Sequence, residues 1–425
     1  MKRTILRCFA IVLSLLMMIG LCGCEVDIDL VPLGPDETIT VATTGSTTPQ
    51  PDAWDGGSKK TTEAPTTTTE KSYATLPMIE RDEKYDNPYG LHHTLLAYSF
   101  TDVYSKDRWL PSIGYIKDGK IAGVMYDSII LLPSPYNVYY NSDFATKTRW
   151  DNFRSHTYEN FDTLNEAVIE VQNALNLKDY KIKVFATLVE PSPERQGSWG
   201  TLDGVSVGAR NDDEQFAMVK YMIDSYIAEF NAKGYSNLEL AGFYWFDESF
   251  ATQKGMWYRR VTDYVHAVNK LVVHAPYFKS SGWEYSKTYG MDLVAMQSNY
   301  FHHTAVGEGS GSIARLAVNA KIVQSGVTDG ITVECSTATD HDDVTTLKNT
   351  LATALDHGTD DAYHIYYFGG GATAIYQMSI STESYIRSAY DELYRYFNQT
   401  LTKDTMVIDE YDQPQEWIDG AIDYL

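Results

Sequence analysis

The 425-residue sequence predicts an α/β protein whose globular part is a (β/α)8 barrel, preceded by a signal peptide and a disordered Thr/Pro-rich linker. Three observations carry that expectation. Eight short apolar runs follow one another from Thr94 onward, most of them separated by amphipathic segments of helical period. Such alternation means a parallel sheet covered by helices on its faces. The residues after the first run, "YSFTDVYSKDR", hold no Gly-rich phosphate turn, which disfavours the alternative of an open doubly wound sheet. Finally, the stretch 73–425 is long enough for eight strand–helix units, for which about 250 residues is the usual scale.

The chain begins with a basic head, Lys2, Arg3 and Arg7, followed by an apolar run from Cys8 to Gly20 that is too short to span a bilayer comfortably. Small residues close it, so residues 1–23 read as a signal peptide and not as part of the fold. Its end, Leu21-Cys22-Gly23-Cys24, resembles the lipobox of bacterial lipoproteins. That resemblance implies cleavage before Cys24, a diacylglycerol on its sulfur, and an extracytoplasmic protein held at the cell membrane by a lipid anchor. No later run is long and apolar enough for a transmembrane helix. Residues 24–72 form the lipidated N-terminus and a stalk, Thr-, Pro-, Gly- and Ser-rich from about Glu37, with too little apolar surface to build a core.

The domain over 73–425 is expected to place strands at 94–100, 121–132, 181–190, 238–248, 270–278, 292–301, 330–337 and 363–371. Helices are expected at 162–177, capped by Asp162, and at 212–234, opened by Asp212-Asp213 and stopped by Gly234. Four more follow at 256–270, 312–326, 342–358 and 381–401, with "DHDD" (340–343) reading as helix capping. Residues 101–120 and 133–161 read as loop insertions after the first two strands.

Of four cysteines, Cys8 and Cys22 belong to the signal region, which leaves the anchor Cys24 and a lone Cys335 on a core-like strand. With no internal disulfide available, an exported domain relies on its core. The formal net charge is −23, and loss of Lys2, Arg3 and Arg7 with the signal takes it to −26. Such a field repels nucleic acid and anionic lipid.

In a (β/α)8 barrel the active site lies at the C-terminal ends of the strands. The polar residues expected there are Asp127 in strand two, Glu190 ending strand three, and Asp247 and Glu248 ending strand four. His274 and Tyr277 follow on strand five, Asn299 and Tyr300 on strand six, Glu334 on strand seven and Tyr367 on strand eight. Side chains alternate along a strand, so Asp247 and Glu248 cannot both face the mouth. Glu248 and Glu334 are the candidate catalytic pair, because glycoside hydrolysis needs two carboxyl groups flanking the scissile bond. The structural alternative makes Asp247-Glu248 a helix cap and Glu334 a helix-facing ion-pair partner. Asp127, Trp245, Asp247, His274, Tyr277, Asn299, Tyr300 and Tyr367 are the candidate substrate-binding residues, since sugar sites mix aromatic faces with a few hydrogen-bonding groups. Phe243 and Tyr244 read as core.

An acid ending strand four and another ending strand seven resemble the large clan of retaining glycosidases built on the TIM barrel. The resemblance implies hydrolysis of a poly- or oligosaccharide without metal or organic cofactor, Glu248 serving as general acid/base and Glu334 as nucleophile. That clan carries Asn before its acid/base, where this chain has Asp247. The stretches "LPSIGYIKDGKIAGVMYDSIIL", "NLELAGFYWFDES" and "MDLVAMQSNYF" resemble an uncharacterised family of secreted bacterial proteins, domain of unknown function 4855, over about Gly90 to Leu401. Its occurrence in polysaccharide-degrading bacteria implies work on carbohydrate. Two other readings stay open. One is a carbohydrate-binding surface lipoprotein without turnover, which the same aromatics and acids would serve. The other is a metal-dependent hydrolase, but His92-His93 begin strand one instead of ending it, and His274 and His302 are too few for a catalytic zinc site.

Overall fold

The computed structural model describes residues 85, 87–100, 103–133, 146–191, 198–302, 313–335 and 337–408. The chain divides into a unit of residues 1–73 and a second, Ala74–Leu425, that contains every element named below. The expected signal peptide, Cys24 and the linker lie outside the described residues.

The strands are β1 (His93–Phe100), β2 (Gly114–Lys117), β3 (Lys120–Val124), β4 (Ser128–Pro133), β5 (Ile182–Leu188), β6 (Gly200–Leu202), β7 (Val205–Val207), β8 (Leu238–Trp245), β9 (Leu271–His274), β10 (Leu293–Gln297), β11 (Gly330–Cys335) and β12 (Tyr363–Phe368). The helices are α1 (Lys106–Ile113), α2 (Lys147–Leu175), α3 (Asp212–Lys233), α4 (Gly255–Ala267), α5 (Ala314–Gln324), α6 (His341–His357), α7 (Ala372–Ile380) and α8 (Ser384–Phe397). Eight strands pair in parallel and close in the order β1-β12-β11-β10-β9-β8-β5-β4, with β4 returning to β1. The protein is therefore a (β/α)8 TIM barrel, with β8 and β11 as its fourth and seventh strands.

Alternation along the strands separates an inner from an outer face. On the outer face the His93 ring stacks on Phe397 of α8 at 4.3 Å, and Phe243 packs against Tyr226 of α3 at 6.0 Å. The opposite parity points to the axis, where Thr94 and Ser128, in register on β1 and β4, share a hydrogen bond of 2.6 Å. Register carries this inner set around the barrel through Thr187 and Tyr244, then Gln297 and Thr332, then Glu334 and Tyr367.

Helix ends follow their capping residues. Asn211 accepts from Glu214 N–H at 3.0 Å to open α3, which stops at Gly234 in the left-handed conformation. Asp340 does the same for α6 through Asp343 N–H, and Gly358 closes it. At the C-terminal end the buried Lys348 of α6 bonds Ser388 Oγ at 2.7 Å, the Val407 carbonyl, and Glu392 Oε2 at 3.1 Å. Glu392 Oε1 in turn accepts from Val407 N–H at 2.8 Å. A buried ion pair persists only when its remaining polar atoms are satisfied, and here the partners are Ser388 of α8 and the main chain of Val407 beyond it.

Three expectations are corrected. The run 121–132 is not one strand: β3 pairs antiparallel with β2 around Asp118-Gly119, both at positive φ, and the barrel strand begins at Ser128. The second helix starts at Lys147, capped by Thr146, so residues 147–161 are its first half and not a loop. Asp162 lies inside that helix, where its carboxylate meets Lys233 at 2.6 Å and Tyr235 at 2.7 Å. Helices α1 and α7 and the hairpin β6–β7 were not expected.

Candidate active site

Both candidate acids belong to the inner set. Glu334 is on β11, and Glu248 continues the parity of Gly242, Tyr244 and Phe246 beyond the end of β8. The strand between them that matters most is β10. Its last residue, Gln297, donates its side-chain amide to Glu248 Oε1 at 2.9 Å and to the Ala275 carbonyl at 2.8 Å. The next two residues serve the other acid. Ser298 N–H, Ser298 Oγ and Asn299 N–H reach Glu334 Oε2 at 2.9, 3.1 and 2.6 Å. Three consecutive residues thus hold both carboxyls at one mouth.

Electrostatics agree with that proximity. Burial pushes the Glu334 carboxyl up to about 7, against the pull of its donors, and the negative charge of Glu248 adds to the rise. Burial also raises Glu248, offset in part by the Gln297 amide. Tyr244 takes part as well: burial, then the charges of Glu248 and Asp247, push its phenol well above the usual range.

The main chain around Glu248 is clasped by the loop after β9. His274 Nε2 donates to the Asp247 carbonyl at 2.9 Å, while Tyr277 N–H and Ser280 Oγ reach the Glu248 carbonyl at 3.0 and 2.6 Å. Phe250 and Ser281 are joined through Phe250 N–H at 2.7 Å and Ser281 Oγ at 3.1 Å. Asp247 faces the helices, as alternation requires. Its Oδ2 accepts from Glu190 N–H at 2.9 Å, and burial together with Glu190 and Glu248 pushes its carboxyl up to about 8. Glu190 itself is paired with Lys254 and accepts from Tyr258 Oη at 2.9 Å.

The candidate residues therefore divide. Glu248, Glu334 and Tyr367 share the mouth, Tyr277 stands at its rim with 40% of its surface exposed, and Asn299 reaches it through its backbone. Others do not arrive there. Asp127 sits before β4, at the opposite end of the barrel, where its carboxylate accepts from His92 and His93 N–H at 2.8 Å each. Trp245 is fully buried on the outer face against Trp257 and Tyr258 of α4, at 6.0 and 5.9 Å. Tyr300 turns to α6, accepting from Asn349 Nδ2 at 2.9 Å and packing on Ile313 and Leu316. His274 is buried with both ring nitrogens bonded within the protein, and burial lowers it to about 3. Gln297 and Ser298 were missed, although three polar residues in a row at a strand end, "QSN", marked them. Among the described residues no three His, Cys, Asp or Glu side chains group as a metal site.

Fold and site define a (β/α)8 barrel protein with a paired-carboxylate mouth. More specifically, the chain belongs to the family described as Domain of unknown function (DUF4855), whose model matches residues 95–395. Comparison with curated proteins gives no match. Among solved structures the chain is similar to a type I 3-dehydroquinate dehydratase from Clostridium difficile (10% identity, 73% of this chain and 94% of that chain, TM-score 0.31). It is also similar to a GH18 chitinase from Flavobacterium johnsoniae (12% identity, 70% and 94%, TM-score 0.34). A third similarity is to an alpha-amylase from Malbranchea cinnamomea (13% identity, 73% and 77%, TM-score 0.35).

Proposed function

We propose that the protein hydrolyses glycosidic bonds of a poly- or oligosaccharide, with Glu248 as general acid/base and Glu334 as nucleophile of a retaining mechanism. One observation carries the reading: Gln297 bonds Glu248 while the next two residues bond Glu334, so two carboxyls of raised proton affinity share one mouth. Glycoside hydrolysis uses such a pair, one group protonating the leaving oxygen while the other attacks. Tyr277, exposed and bonded through its N–H to the Glu248 carbonyl, would offer a ring face to a sugar on the leaving-group side.

The test is a screen of the residue 73–425 fragment against plant and mucin glycans, beside Glu248→Gln and Glu334→Gln. Each substitution should cut turnover at least about 100-fold while sparing glycan affinity. One observation favours a second reading, a glycan-binding protein without turnover: Glu334 Oε2 is already occupied by three donors of the protein. Binding without cleavage in the same screen would select it.

The reading includes a lipid anchor at Cys24 and an extracytoplasmic, membrane-held location, supported by Leu21-Cys22-Gly23-Cys24 after an apolar run. Cys24→Ala should move the protein from the membrane fraction to the soluble one. Retention of that variant in the membrane would refute the anchor.

A further inference from the structure

We propose that Arg315 is an anion-recognition residue at the rim of the mouth, and that the saccharide taken there is acidic, carrying a carboxylate or a sulfate. The inference rests on the glycan reading of the site and adds to it a class of substrate.

Arg315 stands in the first turn of α5 and shares a helix face with Val318 and Ile322. Those two pack with Met296 of β10 against Phe278. One turn above them the guanidinium lies over the Phe278 ring, 4.7 Å from its centre, and Nη1 donates to the Ser298 carbonyl at 3.4 Å. Ser298 is the residue whose N–H and Oγ reach Glu334 Oε2. The cation is thus one residue removed from the acid pair. Glu248 follows β8 and Glu334 lies on β11, so the rim from one to the other runs past the ends of β9 and β10. Tyr277 and Arg315 stand in that sector.

The charge of Arg315 is unspent, although the chain carries a net −23. Arg154, Arg210, Arg259, Arg260 and Arg387 each pair with a carboxylate. Among the described residues Arg315 pairs with none, and its other N–H groups bond nothing and reach solvent. Lys254, by contrast, is held by Glu190. Helix stability does not explain the placement, since a cation in the first turn opposes the macrodipole. A half-buried guanidinium presents a planar fork that matches two oxygens of an oxyanion. The negative field of the chain opposes a polyanion at long range, but salt screens it within about 8 Å at physiological strength. The contact at the rim then decides.

The test measures glycan binding to full-length wild type, Arg315→Gln and Arg315→Lys. The panel holds oligogalacturonate and a sulfated galactan oligomer, each beside the same oligomer made neutral by carboxyl reduction or desulfation. Wild type should bind an acidic member more tightly than its neutral counterpart, and the two arms tell carboxylate from sulfate. Glutamine keeps a donor for the Ser298 carbonyl but no charge, so Arg315→Gln should weaken acidic binding roughly 10- to 100-fold and leave neutral binding unchanged. Arg315→Lys keeps the charge without the fork and should lose less; it also serves if the glutamine variant does not fold. A variant that weakens acidic and neutral members alike makes Arg315 a packing residue and overturns the proposal, as does a preference for neutral members, and either result leaves the glycan site standing. Failure of every acidic member to bind also overturns it, and the plant and mucin screen then judges the glycan reading by itself. Acidic binding through Arg315 without cleavage would defeat the hydrolase and leave the proposal standing.

Discussion

Gln297 bonds Glu248 across an intervening strand: its amide, on β10, spends one hydrogen on the Ala275 carbonyl after β9 and the other on the acid after β8. The acid is thus held from the neighbouring staves of the barrel as well as by its own chain.

On the hydrolase reading, Gln297→Leu should therefore act on catalysis more than on folding. A hydrogen bond to a charged group contributes about 1.5–3 kcal/mol, so kcat/KM should fall roughly 10- to 100-fold. The amide opposes the rise that burial imposes on Glu248. Its loss should move the alkaline limb of the pH–rate profile upward, and an unmoved limb would refute the role given to Gln297.

Glu334 links stability to pH. Its carboxyl stands at about 7 in the folded protein against the model-peptide value of 4.5. Between those values the folded state binds the extra proton, so stability is greatest below 4.5, falls as pH rises to 7, and is level above. The loss amounts to about 3 kcal/mol. Glu334→Gln should melt above wild type at pH 8 and match it near pH 4. A difference independent of pH would count against a buried titrating group.

Tyr277 and Trp245 should separate binding from packing. Tyr277→Ala removes an exposed ring, so stability should change by no more than about 0.5 kcal/mol. Its glycan affinity should drop roughly 3- to 10-fold. Trp245→Ala empties a core position against α4 and should cost about 3–5 kcal/mol, leaving the affinity of the folded fraction unchanged. Titration of both variants with the screened glycan decides between these faces.

Much of this was legible in the residues. Eight apolar runs with helical segments between them fixed the barrel, and the acids ending the fourth and seventh strands are the two bonded by the consecutive residues Gln297, Ser298 and Asn299. The faces were less legible. Counting back from Glu248 by twos gives Phe246, Tyr244 and Gly242, so Trp245 had to share the outer face with Asp247. Bulky aromatics on both faces hid that parity. Asp127 was misplaced because an unbroken apolar stretch concealed the end of a hairpin. The Asp118-Gly119 pair, a strong two-residue hairpin signal, would have revealed it, and Asp203-Gly204 likewise marks β6–β7. The run "QSN" marks polar residues at a strand end, but nothing near Glu334 in the chain ties it to them, since its donors lie 35 and 36 residues away.

The closure of the barrel through β1 and the grip of Lys348 and Glu392 on Val407 bear on how the domain can be cut. A recombinant fragment trimmed to the family match, residues 95–395, would begin inside β1 and stop within α8. It would drop the His93–His364 register pair and leave a desolvated ammonium short of the Val407 carbonyl. The span that sequence comparison delimits is thus narrower than the span that closes the barrel and satisfies Lys348, which takes in His93 and Val407.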